Sequence, residues 1–232
     1  MTNAAQPQAE RRLRLADLLE QTSPDARSRR EAAQTLPVLE PLAPLLPAGG
    51  LIRGTAVETD DTSLLLALAT GPLTTDPTCW AAAVDLPHLG LAAAAGYGLP
   101  LQRLVVADQV GEQHFGEVVS ALADACTVLM VRPPERLEAH LRRTGAVMLC
   151  HGRPWPGSTL RLEVTGRRWS GLGDGWGQLV GREVEVRSSG RGAAYRARTA
   201  RLWLPDENGA VTSAVPDSAV GTGRPAAVAA PA

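Results

Sequence analysis

Gly50-Leu51-Ile52-Arg53-Gly54-Thr55-Ala56-Val57-Glu58-Thr59-Asp60-Asp61-Thr62-Ser63 decides how this chain is read. Glycines punctuate a turn that enters a short apolar strand, and a helix-like run from Ser63 to Ala69 follows. A strand–loop–helix of this kind is where nucleotide-binding proteins carry a glycine-rich cradle that ends in lysine and serine or threonine. The loop Glu58, Thr59, Asp60, Asp61, Thr62, Ser63 has no glycine to let the backbone wrap a phosphate. It has no lysine to reach one, and its three carboxylates would repel it. Lysine is absent from the whole chain, whose 23 basic residues are all arginine. The loop therefore predicts a nucleotide-binding architecture without nucleotide chemistry, and no cofactor.

Working outward, Thr55–Glu58, Trp80–Val84, Leu104–Val106, Thr127–Val131 and Ala146–Cys150 are strand candidates. Ser63–Ala69, Leu89–Tyr97, Glu112–Asp124 and Glu135–Thr144 are the helical runs between them. Short apolar strands separated by helices predict a mainly parallel sheet covered on both faces, an α/β fold. After His151 the texture changes. Leu160–Val164, Glu183–Val186 and Tyr195–Leu204 are β-rich and broken by glycine, which predicts antiparallel strands added at the C-terminal end. Before the core, Ala9–Gln21 has Leu13, Leu15, Leu18 and Leu19 near one helical face. Pro37, Pro41, Pro44 and Pro47 then imply an extended apolar strap. The expected organisation is an N-terminal helix and linker (1–36), a core (37–152), a basic β-rich part (153–205) and a disordered tail (206–232).

Composition narrows the function. The 44% apolar content supports a core, and no apolar stretch approaches the length of a membrane span. Cys79, Cys126 and Cys150 lie in apolar runs without a Cys-x-x-Cys pair, which predicts buried thiols in a reducing cytoplasm and no metal centre. Asp85-x-x-His88 lacks a second ligand pair, and Ser63, Ser120 and Ser158 lack a nucleophile elbow. The net charge of −1 hides an asymmetry. Residues 50–131 set two arginines against nine carboxylates, a formal −7, and residues 132–201 set fourteen against six, a formal +8.

The stretch Pro47 to Glu58 resembles the entry to the core of the RecA recombinases, a Gly-Gly-Leu-Pro-x-Gly-x-x-x-Glu pattern before the phosphate loop. Cys79-Trp80-Ala81-Ala82-Ala83-Val84-Asp85 resembles that fold's second strand, and the later elements follow in the same order. The resemblance places the phosphate-loop lysine near Asp61–Thr62, the catalytic glutamate at Pro87 and the acid ending the Thr127–Val131 strand at Arg132. With all three gone, the resemblance implies no ATP hydrolysis, since phosphoryl transfer needs them together. A short RecA-like chain with an arginine-rich first helix and a basic β-rich end resembles the ImuA family, in particular its actinobacterial ImuA-prime type. That resemblance implies a non-enzymatic accessory protein of an SOS-induced mutasome in mutagenic translesion synthesis. Its implied partners are an inactive Y-family polymerase-like protein of the ImuB type and an error-prone replicative-type polymerase. The implied location is the cytoplasm, on the nucleoid during DNA damage. The alternatives are a regulator that binds or inhibits a recombinase filament or cell division, and a residual DNA-dependent ATPase.

Two surfaces are candidate sites. Arg161, Arg167, Arg168, Arg187, Arg191, Arg196, Arg198 and Arg201 surround the C-terminal strands and would meet single-stranded DNA, an acidic partner, or only solvent. If the strand is regular, Arg196 and Arg198 project together. Arg11, Leu15, Leu18 and Leu19 mark a docking helix, which would pack in cis or against a partner.

Overall fold

The computed structural model describes residues 34–132, 144–152, 155, 157–173 and 176–214. A nine-stranded sheet organises them. Its elements in chain order are β3 (Ala56–Thr59), β4 (Ala81–Val84), β5 (Leu104–Ala107), β6 (Val128–Val131), β7 (Val147–His151), β8 (Leu160–Gly173), β9 (Trp176–Gly190), β10 (Arg198–Trp203) and β11 (Thr212–Ser213). A separate small ribbon pairs β1 (Thr35–Leu36) with β2 (Leu51–Ile52). The sheet runs β11-β10-β9-β8-β3-β7-β6-β4-β5. From β5 to β8 every pairing is parallel, and from β8 to β11 every pairing is antiparallel. The helices are α1 (Thr62–Thr75), α2 (Leu91–Gly96) and α3 (Gly111–Ala125).

The apolar runs of the parallel strands follow from burial on both faces. Ala81 and Ala83 belong to the core under α1 and α2, whereas Ala82 and Val84 belong to the core under α3. In the antiparallel half the described residues cover one face. Leu160, Leu162, Val164, Val184, Val186 and Leu202 join the α1 core, and the residues between them alternate outward.

Helix α1 is buried around its whole circumference from Leu64 to Leu73, so the loop before it is fixed to the centre of the molecule. Its C-terminal end meets Arg103, which donates to Leu73 O at 2.6 Å and to the C-cap Asp76 O at 2.9 Å, and also to Cys79 O at 3.1 Å in the loop before β4. The charged guanidinium satisfies carbonyls that have no partner within the helix.

The structure departs from the sequence reading in four places. The proline strap contains a 3-10 helix, Glu40–Leu45, in which Pro41 occupies an early position where no N–H is needed. Its Leu42 and Leu45 are fully buried. Helix α1 extends through Pro72, well past Ala69. Strands β8 and β9 are 14 and 15 residues long. The structureless tail expected from 206 gives way over 206–214 to a turn and to β11, which pairs with β10. Apolar anchors explain this last difference, because Ala214 is buried and Val211 packs on the α1 core. The expected helix Ala9–Gln21, and all but the last residue of the expected helix Glu135–Thr144, lie outside the described residues.

Candidate functional site

The loop at the C-terminal end of β3 is held by contacts within the chain. Asp61 is the N-cap of α1, and its Oδ1 accepts from Leu64 N at 3.0 Å. Its other oxygen, Oδ2, accepts from Arg182 at 2.7 Å, with Arg167 a second cation at 4.0 Å. The pair is largely dry, with side-chain exposures of 5% for Asp61 and 11% for Arg182. Arg182 comes from β9, 121 residues further along the chain. It is held in turn by Arg182 N donating to Pro205 O, by Leu204 N donating to Arg182 O, and by the Trp169 ring 5.8 Å from its guanidinium carbon.

A helix N-terminus carries about half a positive charge and unpaired N–H groups, which makes it a ready anion site. Here the anion is the chain's own. Asp61 lies where a phosphate would meet α1, and arginines from the antiparallel half neutralise it. Other loop groups are also engaged, while Asp60 is exposed. Thr59 Oγ1 accepts from Asp61 N at 3.2 Å, and Thr62 Oγ1 lies 3.1 Å from His151 Nε2. Glu58, at the end of β3, is buried. It accepts from Trp155 N and lies 3.4 Å from Arg161.

Two titrating groups border the loop. Partial burial, assisted by Arg132, lowers the pKa of His151 and favours the neutral ring that Thr62 meets. Burial raises the pKa of Tyr97, against a hydrogen bond from Ser63 and the positive charge of Arg182.

The other expected positions fall as follows. Pro87 lies in an exposed turn after β4, and Arg132 is exposed beyond β6. Asp85 adopts a φ of 50°, and its Oδ1 accepts from Val110 N at 3.0 Å, so it closes the turn into α3. Among the described residues no cluster of His, Cys, Asp and Glu is placed to hold a metal. The three cysteines are free and buried. No described helix is long and apolar enough to cross a membrane.

The eight candidate arginines do not form one face. Arg161 and Arg167 turn to the loop carboxylates Glu58 and Asp61. On the open face of the antiparallel strands, Arg168 lies 3.6 Å from Glu183 and Arg201 lies 3.5 Å from Glu185. Arg187 is the register partner of Glu163. Arg191, Arg196 and Arg198 gather at the opposite end of the sheet, around the β9–β10 connection. Arg196 precedes β10, so it does not share a strand face with Arg198, whose backbone N donates to Ser188 Oγ. Arg11, Leu15, Leu18 and Leu19 lie outside the described residues. Sequence reasoning missed Arg182, Tyr97 and His151. Arg182 stands between Gly181 and Glu183, just before the expected strand Glu183–Val186, and nothing local marks its role.

The comparisons agree with this architecture. Residues 44–157 match the family model described as the MT3502 N-terminal domain. The crystal structure of the RadB recombinase is similar to the chain, with a TM-score of 0.50 and 12% sequence identity. The match covers 76% of this chain and 97% of that one. The fold is RecA-like. No curated protein matches the chain.

Proposed function

We propose that the protein is a non-catalytic RecA-like adaptor of a mutasome. It would support error-prone translesion synthesis by binding an inactive Y-family polymerase-like protein and, through it, an error-prone replicative-type polymerase. The observation that carries the non-catalytic part is the Asp61–Arg182 pair, which occupies the helix N-terminus that a nucleotide phosphate would need. The reading is supported by the three positions that the resemblance matches to the cradle lysine, the catalytic carboxylate and the strand-end acid, none of which holds its residue, since phosphoryl transfer needs them together. The partner assignment rests on the resemblance to the ImuA family. A second reading, a regulator of a recombinase filament, draws on the likeness to a recombinase fold.

Affinity capture with the full chain from DNA-damaged cells separates the two. The adaptor reading expects the polymerase-like protein to be retained to the same extent with and without Mg·ATP. Retention of a recombinase and no polymerase-family protein would overturn it in favour of the regulator. Nucleotide-dependent retention would overturn the non-catalytic part.

A further inference from the structure

The connection from β9 to β10 carries a run of cations with no carboxylate among them. Residues 188–200 hold Arg191, Arg196 and Arg198 and no acid, a formal +3. Among the described residues neither Arg196 nor Arg198 makes an ion pair. Along the ladder the nearest acid is Glu163, whose register partner is Arg187, and the row of Arg198 is completed by Leu162 and Ser188. The neighbouring part of the sheet differs, because Arg168 and Arg201 each face a glutamate there. Arg198 Nη1 is buried and has no hydrogen-bond partner. A buried charged donor without an acceptor costs stability, and an anion is what satisfies it.

The connection is firmly seated. Arg191 N donates to Thr159 O at 3.1 Å, Ala194 N to Arg191 O at 3.1 Å and Tyr195 N to Gly192 O at 3.0 Å, which closes the 3-10 turn Gly192–Ala194. A Cβ on Gly190 would lie 2.3 Å from Thr159 O, so the turn is packed against the start of β8 as only glycine allows. Ala194 is buried in the α1 core, and the buried Ser188 accepts from Arg198 N at 3.2 Å. Tyr195, next to this anchor, is 86% exposed, whereas the other tyrosine, Tyr97, is buried. Among the described residues beyond Val180 it is the one exposed large apolar side chain. Its Cα is no more than about 11 Å from those of Arg196 and Arg198 along the chain.

Charge and shape together select the occupant. An acidic protein segment would match the charge, but it needs an apolar recess for its own side chains, and a lone projecting ring offers none. A duplex keeps its base faces within its own stack. An aromatic ring beside cations that face no carboxylate suits single-stranded nucleic acid, whose bases stack on the ring while the arginines take its phosphates.

We propose that the β9–β10 connection binds single-stranded nucleic acid, with a base stacked on Tyr195 and phosphates met by Arg196 and Arg198. The site lies at the opposite end of the sheet from the loop after β3. It therefore needs neither a nucleotide in that loop nor the polymerase-like partner.

The test follows the fluorescence anisotropy of a labelled oligothymidylate of about 12 nucleotides as the full chain is added. The wild type is expected to bind, and its affinity to fall with salt at a log–log slope of about −1.4 or steeper, from two phosphates at about −0.7 each. Tyr195→Ala is expected to weaken binding by about tenfold and Tyr195→Phe by less than about twofold, since the ring and not the hydroxyl stacks. Arg196→Glu is expected to weaken it by more than about tenfold and to flatten the slope. Both residues are exposed, so neither change disturbs the core. Arg168→Ala, in the paired part of the antiparallel strands, should change binding by less than about twofold. No binding by the wild type, or binding that Tyr195→Ala and Arg196→Glu both retain, would overturn the site and leave the adaptor reading intact. A duplex of the same length bound as tightly would overturn the stacked base and with it the assignment. Polyglutamate that binds where the oligonucleotide does not, and is lost in Arg196→Glu, would give the cations to an acidic protein segment and overturn the proposal.

Discussion

Replacing Arg182 with alanine is expected to lower the melting temperature by roughly 10 °C. The expectation follows from where the charge is left. Asp61 is 5% exposed and its carboxylate faces two cations, the nearer of them Arg182 at 2.7 Å. Removing one member of a buried pair costs about 3–5 kcal/mol, because the other charge remains desolvated and unpaired. Arg167, at 4.0 Å and half exposed, compensates only in part. The same change removes the ion pair that ties β9 to the N-terminus of α1. Asp61→Asn should cost a comparable amount, because an amide oxygen still caps Leu64 N but the Arg182 guanidinium, 11% exposed, is left without its carboxylate. In Asp61→Asn with Arg182→Leu the two losses should fall well short of their sum, since both report one interaction. Chemical denaturation of the four proteins measures this, and strict additivity would show that the pair does not act as a unit.

Gly71→Ala and Gly116→Ala are expected to change stability in opposite directions, although both glycines lie inside helices. A Cβ on Gly71 would lie 2.4 Å from Val38 Cα and 2.7 Å from Val38 C. Those atoms are backbone of the strap, which the buried Leu36, Leu42 and Leu45 hold in place. The strap must move off α1, at a cost of about 2–3 kcal/mol that exceeds the helix-propensity gain of about 1 kcal/mol. Gly116 in α3 has nothing within 4 Å of the added methyl, so there the propensity gain stands alone. Urea unfolding midpoints check both. A stabilised Gly71→Ala protein would mean that the strap does not pack on α1 as described.

The division between what could and could not be read in advance follows the range of the interactions. The parallel half was legible because each strand is a short apolar run, a signal set by burial on both faces. The empty phosphate loop was legible because it turns on residue types within six positions. That Asp61 fills the anion site was not, since its partner lies 121 residues away and the pairing depends on the register of β8 with β9. That register includes shifts between Val164 and Gly166 and between Ser170 and Leu172, which no alternation pattern reveals. For the same reason the basic segment looked like one face. Register sets Arg168 beside Glu183 and Arg201 beside Glu185, and sends Arg191 and Arg196 to the far end. The long hairpin was hidden by its own exposure, because apolar residues at Leu172, Trp176, Leu179 and Val180 on a ribbon with no core behind it break the half-buried period of two.

Thermal unfolding of the full chain with and without millimolar Mg·ATP measures most directly whether the loop after β3 still receives a nucleotide. A ligand present at a hundred times its Kd would add about 2.7 kcal/mol to stability. With Asp61 capping α1 and Arg182 neutralising it, the account predicts coincident curves. A melting temperature that rises with Mg·ATP, and rises no further when Asp61 is replaced by glycine, would contradict it.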